Sequence, residues 1–134
     1  MSGRILLVTG TGTGVGKTIV TAAIASLSAK AGKSVAVVKP GQTGVSGDDI
    51  GDADDIKRLS GVGNVREFVR YPDPISPAAA ARISGKPTLI MREAAEQINS
   101  LAADNDLVLV EGAGGFLVEY NPERETIADL AQLT

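Results

Sequence analysis

The residues that could do chemistry in this chain gather at a few points. Four glycines at alternate positions, Gly10, Gly12, Gly14 and Gly16, lead into Lys17 and Thr18 within the run VTGTGTGVGKT. Glycine permits backbone conformations that turn successive N–H groups into one concavity, and such a concavity takes an anion. The helix predicted to open at Thr18 presents its unpaired N–H groups and positive dipole end to the same spot. Lys17 is then placed to meet the β and γ phosphates of a nucleotide, and the Thr18 hydroxyl to ligate Mg²⁺. The ligand-facing stretch runs through Gly14, Val15, Gly16, Lys17, Thr18 and Ile19. The usual pattern places its outer glycine at position 11, where this chain has Thr11, with Gly10 one residue earlier. A loop one residue longer between its outer glycines marks a subclass of phosphate loop. A dinucleotide fingerprint would need its third glycine at Val15 or Lys17, so that reading fails on spacing.

Further candidates stand where apolar runs end. LVLV at 107–110 is followed by Glu111, Gly112, Ala113, Gly114 and Gly115. A carboxylate closing a buried strand is costly without a cation, which points to the Mg²⁺ side of a phosphate site. The glycines behind it permit close backbone approach to a ligand. Lys39 closes the apolar run at 34–38, where an ammonium can stabilise charge on a transferring phosphoryl group or simply snorkel from a strand exit. Thr43 is equally readable as a substrate contact or a turn residue. Among Asp48, Asp49, Asp52, Asp54 and Asp55, one carboxylate is expected near Mg²⁺ and the others in solvent. Ser76, ahead of Pro77, reads as a helix cap.

These side chains need a scaffold, and the periodicity supplies one. Residues 5–8 read as a strand buried on both faces. A helix from Thr18 follows, with Ile19, Val20, Ala23, Ile24 and Leu27 at helical spacing, Lys30 in its last turn and Gly32 beyond. A second strand at 34–38, stopped by Lys39-Pro40-Gly41, completes a βαβ unit. The Gly- and Asp-rich stretch 40–51 is a long loop. Helices are predicted over Asp52–Ser60, from Pro77, over 91–103 and over 126–133, the last capped by Thr126; Val65–Arg70 is a strand of poor period. In the 91–103 helix, Ala95, Ile98 and Leu101 are expected to face inward. Ligands of open α/β sheets lie outside the carboxyl ends of the strands, and three strands here end at Thr9-Gly10, Lys39-Pro40 and Glu111-Gly112.

Composition narrows the chemistry. With 134 residues, 43% hydrophobic and 22% charged, the chain suits one soluble domain with a real core. It contains neither His nor Cys, which removes the commonest general base, a thiolate nucleophile, disulfides and a cysteine-type zinc site. A net charge of -3 and few aromatic residues argue against a nucleic-acid partner. The N-terminal apolar run is too short for a secretory core, and no stretch reaches the ~18–20 apolar residues of a membrane span, so a cytoplasmic protein is expected.

Taken together, VTGTGTGVGKT at 8–18, VVKPGQTG at 37–44, the Gly51-Asp52-Ala53 stretch and VLVEGAGG at 108–115 make the chain similar to the dethiobiotin synthetases. The resemblance implies a P-loop NTPase-type, three-layer α/β fold with a mostly parallel sheet. It also implies a P-loop nucleotide-binding domain over 1–134, the N-terminal part of a longer family fold and so cut short at its C-terminus. The implied reaction is the ATP- and Mg²⁺-dependent carboxylation and ring closure of 7,8-diaminononanoate with CO₂ or bicarbonate, giving dethiobiotin, ADP and phosphate. Carried over by position, Lys17 and Lys39 would neutralise the transferring phosphoryl group, and Thr18, Asp52 and Glu111 would hold Mg²⁺, with Asp49 competing for the place of Asp52. Thr43 would contact the substrate, and Gly112, Ala113 and Gly114 would face ligand through their backbone. The family loop often carries acidic residues where Gly12 and Gly14 stand here, and full-length members are expected to form homodimers. Competing readings are a switch ATPase of the partitioning or nitrogenase-iron type, a related amide ligase, and a nucleotide-binding module without turnover. A switch ATPase would carry an extra lysine early in the loop, and none lies between Arg4 and Lys17.

Overall fold

A computed structural model describes residues 2–134, so Met1 of the expected 1–134 domain lies outside the described residues. In chain order the elements are β1 (Arg4–Val8), α1 (Lys17–Lys30), β2 (Val35–Gln42), α2 (Asp52–Ser60), β3 (Val65–Arg70), α3 (Pro77–Ser84), α4 (Met91–Asp104), β4 (Leu107–Glu111) and α5 (Ile127–Leu133). The strands form one parallel sheet in the order β1-β4-β2-β3. The last strand in sequence is thus inserted between the first two. Its register pairs Val8 with Glu111 on one side and Val38 with Val110 on the other. That insertion sets Glu111 between the phosphate loop and the end of β2.

Side chains alternate across a strand, and here both faces are covered. Val35, Val37, Leu107 and Leu109 pack with Ala22 and Ala25 of α1 and Ile56 of α2. Ala36, Val38, Val108 and Val110 pack with Ala95, Ile98 and Leu101 of α4 and with Ile127 and Leu130 of α5. The result is the three-layer α/β arrangement of a P-loop fold, with the sheet sandwiched between helical pairs. Thr126 caps α5: its Oγ1 accepts from the Ala128 N–H at 3.2 Å, while Asp129 Oδ2 accepts the Thr126 N–H at 2.7 Å.

Some expectations are corrected. β1 is not buried on both faces: it lies at an edge of the described sheet, and Arg4 is exposed while Ile5 to Val8 are half-buried. β2 does not stop at Lys39 but continues through Pro40 and Gly41 to Gln42, all buried. Pairing with β4 ends at Val38, and Gly41 and Gln42 pair with β3 alone, so Pro40 follows the end of the β4 ladder. Gly41 suits close packing, because a Cβ there would lie 3.2 Å from the Tyr120 ring, tighter than most such contacts. On α1 the larger apolar residues Ile19, Val20 and Leu27 are exposed, while Thr21, Ala22 and Ala25 are buried. Small side chains let α1 approach the sheet closely. Ser76 occupies the N-cap position of α3, yet its side chain makes no cap hydrogen bond.

This inversion of α1 has a direct test. Leu27→Ala is expected to change the unfolding free energy by less than about 0.5 kcal/mol, whereas Ile98→Ala on α4 should cost about 2–5 kcal/mol. Urea unfolding monitored by circular dichroism distinguishes them; equal losses would place Leu27 in the core.

Candidate functional site

The phosphate loop follows β1 and wraps back on Lys17. Gly14 and Gly16 adopt φ of 75° and 108°, in the left-handed region that favours glycine, whereas Gly10 and Gly12 are not among the positive-φ residues. Gly10 is needed for space instead, because a Cβ would meet Val15 Cγ2 at 2.8 Å. Lys17 donates to the Gly12 carbonyl at 2.6 Å, so its ammonium is folded back over the loop. Burial lowers the Lys17 pKa, and repulsion from Lys39 adds to that, opposed by Glu111 and Asp52. An anion beside it would offset both effects by favouring the charged form.

Lys39, Asp52 and Glu111 converge from separate elements. Lys39 Nζ lies 2.7 Å from Asp52 Oδ2 and 3.4 Å from Glu111 Oε1, and it donates to the Gly112 carbonyl at 3.1 Å. Thr18 Oγ1 donates to the same Glu111 Oε1 at 2.8 Å. Glu111 is 1% exposed, and its other oxygen, Oε2, has no hydrogen-bond partner. A buried carboxylate oxygen left unpaired is expensive, so it marks where a ligand for this carboxylate belongs. Two carboxylates and a hydroxyl are hard oxygen donors of the kind Mg²⁺ takes, with phosphate and water filling the remaining positions. Among the described residues no group of three or more His, Cys, Asp or Glu is placed to hold a metal ion.

A cleft of about 530 Å³ lies over this cluster and is lined by Gly14, Gly16, Lys17, Thr18, Ile19, Lys39, Thr43, Asp52, Glu111, Ala113 and Gly114 among others. Most of the expected site residues are therefore assembled in one place. Val15 is exposed beside the loop, and Gly112 meets Lys39 only through its carbonyl. Asp49 does not reach Lys39: its carbonyl accepts from Arg70 at 2.6 Å, and Asp52 occupies the place at Lys39.

The glycines after Glu111 serve contact between two loops. Gly112 N–H donates to the Val8 carbonyl at 3.0 Å and Phe116 N–H to the Gly10 carbonyl at 2.9 Å. A Cβ on Gly115 would lie 2.9 Å from the Thr11 carbonyl oxygen. Tyr120, fully buried, accepts the Ala113 N–H at 2.6 Å and fixes that loop; burial pushes its own pKa up to about 12. Gln42 holds the start of α2, its Oε1 accepting the Asp52 N–H at 2.9 Å. Tyr120 lies outside the motifs, and Gln42, though inside VVKPGQTG at 37–44, drew no role from the sequence. Ser76, read as a cap, instead lines a second, larger cleft of about 880 Å³, together with Thr11, Thr43, Pro74, Ile75, Phe116 and Leu117. The two clefts share Thr13, Thr43, Ala113 and Gly114.

The chain has relatives among known proteins. A family model described as an AAA domain matches residues 4–134. Over 129 residues the chain is 53% identical to the ATP-dependent dethiobiotin synthetase BioD of Streptomyces avermitilis, covering 96% of this chain and 54% of that protein. It is 55% identical over 128 residues to the protein of the same name from Parafrankia sp., again covering 96% and 54%. With that of Rhodococcus jostii it shares 53% identity over 128 residues, or 96% and 55% of the two chains. The chain thus spans about half the length of the curated relatives it matches.

Burial raises the Glu111 carboxyl above the ordinary glutamate range, opposed by attraction from Lys39 and the hydrogen bond from Thr18. The native chain therefore holds this proton more tightly than the unfolded chain. As pH rises from the ordinary glutamate range through the raised value, Glu111 removes stability from the ligand-free protein. Glu111→Gln abolishes this titration. Its urea midpoint should gain on that of the unmodified protein across the window as pH rises, and parallel profiles would contradict the assignment.

Proposed function

Because the chain belongs to the AAA-domain family matched over residues 4–134 and resembles the N-terminal part of dethiobiotin synthetases, we propose that it carries the phosphoryl-transfer site of such an ATP-dependent cyclo-ligase. The observation that carries this reading is the junction of two unlike clefts. One holds the charged side chains of Lys17, Lys39, Asp52 and Glu111; the other is larger and lined by Pro74, Ile75, Phe116, Leu117 and Val118. ATP phosphates belong in the first. The aliphatic chain of 7,8-diaminononanoate belongs in the second, its amines turned toward Thr43 at the shared boundary. A switch ATPase has no need of such an apolar neighbour to its phosphates.

In this reading an amine nitrogen attacks CO₂ and loses a proton to give a carbamate. A carbamate oxygen then takes the γ-phosphoryl group, and ADP leaves. The second amine attacks the resulting carbonyl carbon and gives up a proton, phosphate departs with its bonding electrons and carries that proton or passes it to water, and the ureido ring closes. The chain's own contribution is position and charge, because it has no histidine to act as base. The backbone from Gly14 to Ile19 cradles the phosphates, and Lys17 leaves the Gly12 carbonyl to meet them. Lys39 moves its charge from the carboxylates to the transferring group. Thr43 orients the carbamate, and backbone from Gly112 to Gly114 closes the other side. Mg²⁺, held by Thr18, Asp52 and Glu111, would neutralise phosphate oxygens when bound. The full-length protein acts as a homodimer in the cytoplasm on the diamine, CO₂ or bicarbonate, and ATP. Among the described residues no helix is long and apolar enough to cross a membrane.

The test is phosphate release from Mg-ATP, with and without diaminononanoate plus bicarbonate, run on this chain and on one extended to the relatives' length. Release that depends on the diamine is expected in at least one of them; release indifferent to the diamine in both would favour a switch ATPase and overturn the ligase reading. Lys39→Ala in the active form should lower kcat by about 10²–10³-fold while nucleotide affinity is kept. A variant altered only in its Michaelis constant would remove Lys39 from the transferring group.

A further inference from the structure

The loop from Thr43 to Gly51 connects two residues of the proposed site, Thr43 and Asp52, and one side chain gathers it. Arg70, the last residue of β3, donates from Nη1 to the Gly47 carbonyl at 2.9 Å and to the Asp49 carbonyl at 2.6 Å. Its Nε and Nη2 donate to the two carboxylate oxygens of Glu67 at 2.6 and 2.9 Å, which fixes the plane of the guanidinium. Nη2 also lies 3.8 Å from Asp54 Oδ2, and that same oxygen accepts the Gly51 N–H at 2.9 Å. Arg70 therefore touches both the loop and the first turn of α2.

Register brings a second holder to the same point. Arg70 is paired with Gln42 across β2 and β3, and Gln42 Oε1 accepts the Asp52 N–H. Gly51 is threaded between the two side chains, since a Cβ there would lie 3.1 Å from Arg70 Nη2 and 3.1 Å from Gln42 Oε1. Gly51 has φ of -109°, so its lack of a side chain answers to space and not to backbone conformation. Asp52 follows immediately, with its carboxylate on Lys39 at 2.7 Å. An exposed ion pair alone would be worth little. The value of this fork is geometric, because a planar group with five fixed donors can grip two carbonyls and a carboxylate at once, which an ammonium cannot.

We propose that Arg70 is a positioning residue for Asp52: by clamping the Gly47 and Asp49 carbonyls against β3 it sets the start of α2 so that the Asp52 carboxylate faces Lys39 and the phosphate cleft. This rests on the reading of Asp52 as a metal-side carboxylate. Arg70 touches neither nucleotide nor cation; it acts through the loop.

The experiment is a double-mutant cycle of Arg70→Lys and Asp52→Asn on this chain with ADP, free Mn²⁺ being read by electron paramagnetic resonance. Arg70→Lys keeps the charge and should weaken Mn²⁺ binding several-fold while leaving metal-free ADP affinity unchanged. The double variant should bind Mn²⁺ no more weakly than Asp52→Asn alone. Unchanged Mn²⁺ affinity in Arg70→Lys, or an Arg70 effect that persists undiminished without the Asp52 carboxylate, overturns the proposal. If Asp52→Asn alone leaves Mn²⁺ affinity untouched, the metal role of Asp52 falls, and hydrogen exchange at amides 47–52 then decides the clamp. Faster exchange in Arg70→Lys supports it, and unchanged protection overturns it.

Discussion

One ammonium between two carboxylates governs this structure. Lys39 is 3% exposed and faces Asp52 and Glu111, so a charge that would be ruinous alone is balanced from two sides. The balance is incomplete by design of the fold, since Glu111 Oε2 still has no partner and Lys17 rests on a backbone carbonyl. Two cations and two anions without ligand make a site whose charges are paired but not saturated. In the proposed function a nucleotide and its cation enter by exchanging partners, with no charge left stranded.

The sheet is arranged to make that cluster possible. Inserting β4 between β1 and β2 brings Glu111 beside the phosphate loop and beside Lys39 at once, and the parallel sense puts all three strand ends at one edge. In the central strands β2 and β4 polarity is confined to that edge, because Val35 to Val38 and Leu107 to Val110 are packed on both faces up to it. Behind it, Tyr120 presses on Gly41 and holds Ala113, so a buried aromatic on the far loop sets the distance between β2 and the chain after β4. The spacing of these strand ends thus rests on packing outside the charged cluster.

What was legible in the sequence was local. Gly-Lys-Thr after an apolar run, and Glu111 before its glycines, are short patterns in which mechanism demands particular residues at fixed spacing, and Lys39 stands out as a charge at the end of the apolar run 34–38. What was not legible depends on distant partners. Nothing in residues 107–111 says that they lie between β1 and β2. The stripe of Ile19, Val20 and Leu27 had helical spacing, but spacing cannot tell which face meets the sheet, and the small Thr21, Ala22 and Ala25 won it by allowing closer approach. Pro40 and Gly41 resemble a strand stop until β3 supplies the pairing partner and Tyr120 the reason for glycine. Gln42, despite standing in VVKPGQTG, and Arg70 drew no role from the sequence because their targets are backbone groups at 47–52, a signal that exists only in three dimensions.

The chain's likeness to dethiobiotin synthetases extends over about half of each relative, and the cluster at Lys39 lies wholly within that half. The central claim is that this cluster is a binding site for a nucleotide together with its cation. Isothermal titration of this chain with a non-hydrolysable ATP analogue, with Mg²⁺ and then with Mg²⁺ chelated, tests it most directly. The account predicts saturable one-site binding that Mg²⁺ tightens by roughly tenfold or more, about 1.4 kcal/mol. Binding of equal strength in both conditions, or none in either, would contradict it.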